Sequence, residues 1–171
     1  MIEIRMERPE DISAVRIVNE LAFGQPTEAD IIDGLRMNCP DSLSLVAVDG
    51  DAVVGHILFT PVVIDGPGGT ISGMGLAPMA VLPERQRQGA GSMLVREGIE
   101  LLGQRGCPFI IVLGHPEYYP HFGFEPACFH GITCQWEGVP DEAFMVMILD
   151  RGMMEGVSGV ACYLDEFDEA V

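Results

Sequence analysis

Gln86-x-x-Gly89-x-Gly91 lies between an apolar run, Met79-Ala80-Val81-Leu82, and an amphipathic segment from Ser92 to Arg105. The order is strand, glycine-rich loop, helix. Glycines let a backbone turn tightly and aim several N–H groups at one place. The helix behind adds the positive end of its dipole. Such a loop is a pocket for phosphate or pyrophosphate. A nucleotide P-loop is excluded because its central lysine is missing, and the chain has no lysine at all. The dinucleotide fingerprint fails too: Leu94 stands where a third glycine is needed, and the loop lies mid-chain. Arg85, Arg87 and Arg96 make the stretch locally positive in a chain of formal net charge −17. Cations at a helix N-terminus are disfavoured unless an anion meets them, so the arginines support the phosphate reading.

A second chemical segment follows, Leu113-Gly114-His115-Pro116-Glu117-Tyr118-Tyr119-Pro120-His121-Phe122-Gly123-Phe124. It gathers two histidines and two phenols within a short loop. Metal chemistry is not expected here: His121, Cys128, His130 and Cys134 are close in sequence, but their spacing matches no standard zinc site.

Together the two segments resemble the GNAT N-acetyltransferases. Gln86-x-x-Gly89-x-Gly91 is similar to that family's acetyl-CoA signature, and Tyr119 with Gly123-Phe124 fills its Y-x-x-x-G-F pattern. The fuller L-G-x-P-x-Y-Y-x-x-F-G-F form looks like the YhbS-like branch. So do Ala22-Phe23-Gly24, the run Val54-Gly55-His56-Ile57-Leu58-Phe59, and Leu76-Ala77-Pro78-Met79-Ala80-Val81. The resemblance runs in order from about Ile4 to about Phe167.

It implies an enzyme that moves acetyl from acetyl-CoA to a primary amine by direct attack in a ternary complex. Arg87, Gln88, Gly89, Ala90, Gly91 and Ser92 would hold the pyrophosphate. Met79, Ala80 and Val81 would hold the thioester, with the N–H of Val81 or Met79 donating to its carbonyl. Tyr119 would be the general acid, because a phenol of pKa about 10 stays protonated at neutral pH. Tyr118 is a packing or substrate-side residue. The general base is open among Glu20, Glu28, His56, His115 and a water chain. His115 is the residue to test first, because an imidazole titrates near neutral pH. No acid lies between Thr70 and Leu82. That gap motivates the alternative, a non-catalytic acyl-CoA-binding or regulatory module on the same scaffold.

These residues need elements to position them. Ile2 to Met6 alternates as a strand. Pro9-Glu10-Asp11 opens a helix with Ile12, Val15, Ile17, Val18, Leu21 and Ala22 as its apolar side. Thr27-x-x-Asp30 reads as the capping box of a second helix. Strands are predicted over 43–48, 52–64 and 70–82, joined by hairpin turns at Asp49-Gly50-Asp51 and Asp65-Gly66-Pro67-Gly68-Gly69. Pro78 inside the last of these calls for an edge or a bulge. In the family that strand is splayed, and the pantetheine arm pairs with it as a pseudo-strand. Gly103 or Gly106 ends the loop helix. Further strands are expected at 109–113, near 132–136 and over 144–149, with at most two turns of helix from Pro116 to His121. Acids from Asp165 to Glu169 read as a solvated end.

The resulting fold class is α/β (α+β): a GNAT fold whose mixed, mostly antiparallel sheet has a splayed fourth strand and flanking helices. A chain of 171 residues with 48% hydrophobic content fits one domain, 1–171. The charge of −17 argues against nucleic acid and anionic membrane as partners. No apolar run approaches a membrane span of roughly 20 residues. Five cysteines without paired spacing read as reduced thiols in the cytoplasm. The expected partner is a small-molecule or peptide amine. Oligomeric state is not readable, with a homodimer as one option.

Overall fold

The computed structural model describes residues 1–170. Its strands in chain order are β1 (Ile2–Met6), β2 (Leu43–Asp49), β3 (Ala52–Gly66), β4 (Gly69–Val81), β5 (Phe109–Leu113), β6 (Glu125–Pro126), β7 (Ile132–Cys134), β8 (Phe144–Ile148) and β9 (Gly159–Cys162). The helices are α1 (Ile12–Phe23), α2 (Thr27–Asn38), α3 (Ala90–Gln104) and the single turn α4 (Arg151–Met154). Contacts group the residues into two compact units. One holds Met1–Phe59, Ala77–Gly98 and Glu166–Ala170; the other holds Thr60–Leu76 and Ile99–Asp165. β3, β4 and α3 each contribute residues to both.

In the first unit the strand order is β1-β2-β3-β4. β1 pairs antiparallel with β2, and β2 with β3. The β2–β3 register shifts between Ala47 and Val48, one residue before the hairpin. α1 buries Val15, Val18 and Asn19, and α2 buries Ala29, Ile31, Ile32 and Leu35. Val15, Val46 and Val48 form a packed cluster with Val53 against it. α3 comes close at Gly98: a Cβ there would fall inside the Phe59 ring, which is fully buried.

Three helix expectations are corrected here. Ile17 and Leu21 of α1 are 54% and 55% exposed, so the apolar arc is wider than the buried one. The helix packs on Val15, Val18 and Asn19 instead. α2 starts at Thr27 with Pro26 before it and has no side-chain cap. Asp30 does not reach back to that end, because its carboxylate takes Arg16 of α1 at 2.8 Å, while Asp33 takes the same guanidinium at 2.7 Å. Cross-helix ion pairing has replaced the capping box. α1 also begins later than the proline. Pro9–Asp11 is a short 3-10 turn, and the buried Asp11 carboxylate is gripped by Arg5 at 2.6 and 3.0 Å and by the Arg8 N–H at 2.7 Å.

In the second unit β3 and β4 continue and the order runs β3-β4-β5-β8-β6, with β9 on β3 and β7 on β9. β5 is parallel to β4, the arrangement a helical crossover produces. β8 runs antiparallel to β5. Phe109, Ile110, Ile111 and Val112 are buried, as a continuous apolar strand requires. The strands β6 and β9 and the turn α4 were not expected from sequence. The tail acids Asp165, Asp168 and Glu169 are exposed as expected, but residues 165–170 form a 3-10 turn in which Phe167 is buried at 5% exposure. The acids there are a polar shell around one anchored ring. Among the described residues no helix is long and apolar enough to cross a membrane.

Candidate active site

The glycine-rich loop is shaped by positions that most residues avoid. Pro83–Arg85 is a 3-10 turn, Arg87 has φ of 61°, and Gly89 has φ of 95°. Arg87 is a non-glycine residue held in the left-handed region, a conformation that costs about 1–3 kcal/mol and persists at working sites. Met93 N–H donates to the Gly89 carbonyl at 3.0 Å, which makes that the first bond of α3. The N–H groups of Ala90 and Gly91 therefore precede any intrahelical acceptor. They follow directly on the exposed residues Arg87, Gln88 and Gly89. A pyrophosphate fits this donor set: positive dipole end, left-handed turn, no side chain at Gly89 and open space around its Cβ position.

Two amides brace the loop. Gln86 Nε2 donates to the Val81 carbonyl at 3.1 Å, and Gln88 Nε2 to the Glu84 carbonyl at 3.4 Å. The motif glutamine thus ties the loop back to the end of β4. Arg85 is a correction to the electrostatics. It does not face an anion site, because its guanidinium is held by Asp49 at 2.5 Å. That pair keeps the Asp49 carboxyl below the usual carboxylate range. No motif pointed to Asp49; the signal was a hairpin acid in a chain whose loop had one arginine to spare. Arg87 stays exposed.

At the end of β4, Leu82 N–H donates to Val54 of β3 at 2.9 Å. Strand alternation then turns the N–H groups of Val81 and Met79 toward the opposite edge. The side chains alternate likewise: Ala80 is buried while Met79 and Val81 are half-buried. The β4–β5 register pairs Met74, Gly75 and Leu76 with Ile110, Ile111 and Val112. β4 runs on through the cis Ala77–Pro78 peptide to Val81.

Tyr119 lies in the second unit, 6% exposed, at the head of a 3-10 turn ending at Gly123 with φ of 107°. Its ring meets Tyr118 and Phe124 edge-on at 5.1 and 5.6 Å between centroids. Gly114 backs it, with a virtual Cβ 2.5 Å from Tyr119 Cε2. Burial first, then Tyr118, raises the phenol well above its ordinary pKa. His115 is exposed, and its carbonyl accepts from the N–H of Tyr118 and Tyr119 at 3.1 and 3.4 Å. Its backbone thus starts the turn that presents the tyrosine.

The other histidine and acid candidates are engaged elsewhere. His56 is fully buried, with Nδ1 3.2 Å from Asn19 and Nε2 2.8 Å from Ser44. Such a ring cannot meet an amine arriving from solvent. Glu20 pairs with Arg16 at 2.8 Å, and Glu28 accepts from Gln25 at 2.9 Å. Of the residues considered for zinc, His130 pairs with Glu125 at 2.5 Å.

Residues 3–127 match the family described as acetyltransferase (GNAT) domain. The uncharacterised N-acetyltransferase YhbS of Escherichia coli strain K12 is 34% identical over 166 residues, covering 96% of this chain and 98% of the relative. The chain belongs to the GNAT acetyltransferase family. Within it, the solved structure of Escherichia coli YhbS in complex with CoA superposes with a TM-score of 0.90 at 34% identity, covering 98% of this chain and 92% of that one. A Brucella melitensis GNAT acetyltransferase in complex with acetyl-CoA superposes with a TM-score of 0.80 at 34% identity, covering 98% and 99%. The chain is accordingly an acetyl-CoA-dependent N-acyltransferase of the YhbS-like branch, with the mixed, mostly antiparallel sheet of that fold.

Proposed function

We propose that this GNAT enzyme transfers acetyl from acetyl-CoA to a primary amine of a small molecule or peptide by direct attack in a ternary complex. The observation that carries the reading is the start of α3. Ala90 and Gly91 offer N–H groups at the helix start, next to a left-handed Arg87–Gly89 turn. The pyrophosphate is assigned to Arg87, Gln88, Gly89, Ala90, Gly91 and Ser92. The thioester is assigned to the Met79–Ala80–Val81 backbone, whose outward N–H groups support a carbonyl contact at Val81 or Met79. In this reading β4 beyond Leu76 is the splayed stretch along which the pantetheine arm lies.

Tyr119 serves the departing thiolate. Its raised pKa keeps the proton in place at neutral pH and favours hydrogen-bond donation to sulfur over complete transfer. His115, exposed two residues beyond β5, is assigned as the base that takes the amine proton. The whole chain is taken as one acetyltransferase domain, since β3 and β4 run through both units and the YhbS relative matches 96% of it. A cytoplasmic setting fits five free cysteines. A net charge of −17 favours a cationic acceptor over nucleic acid or anionic lipid.

The deciding experiment is a panel of amines with acetyl-CoA and a free-thiol readout. Amine-dependent thiol release supports transfer. Tight acetyl-CoA binding with no release across small amines and N-terminal peptides favours the non-catalytic acyl-CoA-binding module instead.

A further inference from the structure

Four side chains form a continuous polar chain in the first unit, buried at Asn19 and His56 and half-buried at Ser44 and Glu7. Asn19 of α1 donates its amide to the Val15 carbonyl at 2.9 Å and contacts His56 Nδ1 at 3.2 Å. Both amide hydrogens are thereby used, so Nδ1 accepts and the imidazole proton sits on Nε2. Nε2 donates to Ser44 Oγ of β2 at 2.8 Å, and the Ser44 hydroxyl donates to the Glu7 carboxylate. Glu7 is neutralised by Arg36 of α2, which also holds Asp33 at 2.7 Å. Asn19 and His56 are wholly inaccessible, and Asn19 Oδ1 has no hydrogen-bond partner.

Such a chain has one inexpensive state. A proton added at Nδ1 would face the Asn19 amide donor. Turning that amide over would present Oδ1 to the ring, but it would also set Oδ1 against the Val15 carbonyl and strand the NH₂ group. The charged groups around the ring do not rescue it. Glu7 Oε2 is 3.9 Å from Nε2 but already engaged by Ser44 and neutralised by Arg36. Arg16 and Glu20, on the outer face of α1, are paired with each other. β2 contributes only Ser44 and β3 only the ring itself.

We propose that this chain is an acid-sensitive latch that holds α1 against β3 while His56 is neutral and releases α1 when the ring takes a proton. The direction follows from linkage. Burial and Arg36 push the closed-state pKa down to about 3 from an ordinary 6.5. Stability from the neutral ring is therefore complete above about 6.5 and is lost progressively as pH falls toward 3. One proton is taken up per opening, so the α1 opening constant should rise by up to about tenfold per pH unit in that window.

The test is amide hydrogen exchange from pH 7 to pH 4.5, each peptide normalised to its intrinsic rate. Wild-type α1 should lose protection with a one-proton slope while α3 stays protected, and His56→Gln should flatten the slope. Equal loss in α1 and α3, or an unchanged slope in His56→Gln, overturns the latch. Imidazole resonances of wild type give a check that needs no variant. His56 should keep its neutral signal for as long as α1 is closed. A normal titration near 6.5 with α1 fully protected also overturns it.

Discussion

Tyr119 keeps its ring packed on Tyr118, Phe124 and the Gly114 backbone whether or not the hydroxyl is present. Tyr119→Phe should therefore leave acetyl-CoA affinity and Tm nearly unchanged. Single-turnover transfer should fall by about 10²–10⁴, the usual worth of a positioned acid. A rate within about twofold of wild type would return Tyr119 to a packing role. Gly89 makes the complementary case. Its φ of 95° strains any side chain, yet nothing lies within 4 Å of its Cβ position. Gly89→Asp places a carboxylate where phosphate must approach, so CoA affinity should drop far more than Tm. Isothermal titration beside a melting curve separates the two, and wild-type affinity in the folded variant would show the loop to be only a turn.

Element by element, the readable features were those with local causes. β1 and β5 have the predicted ends, because alternation and a continuous apolar run are local signals. The end of α3 resolves to Gly106, with φ of 78°, where Gly106 N–H meets Gly103 and Cys107 N–H meets Leu102. Sequence left two glycines open there. Features set by distant partners were not readable. Asp30 looked like a cap residue because its pairing with Arg16 spans two helices. His56 looked like a possible base because only tertiary packing shows it sealed. Asp49 carried no motif, and its hold on Arg85 depends on a hairpin reaching the loop. Gly98 is another contact of this kind. Gly98→Ala gains helix propensity of up to about 1 kcal/mol but drives a methyl into Phe59. Overpacking should win, for a net loss of about 1–3 kcal/mol, read as a lower urea midpoint at unchanged m.

For the molecule as a whole, a ligand that binds only the folded state raises its stability. Saturating acetyl-CoA at about a hundred times Kd should add about 2.7 kcal/mol, which for a chain of this size is a Tm rise of several degrees. NAD and ATP should do less. Equal shifts from ATP, or none from acetyl-CoA, would remove the cofactor assignment.

Phe167 has a consequence for how the chain reaches its native state. Residues Glu166–Ala170 belong to the same compact unit as Met1–Phe59 and Ala77–Gly98. That unit is therefore written in three instalments, the last of them far along the chain from the first. Contacts between such distant segments require a large loop-closure entropy to be overcome before any burial rewards them. Closing this unit is thus a late step in folding, because its third segment must come back to the first two from far along the chain.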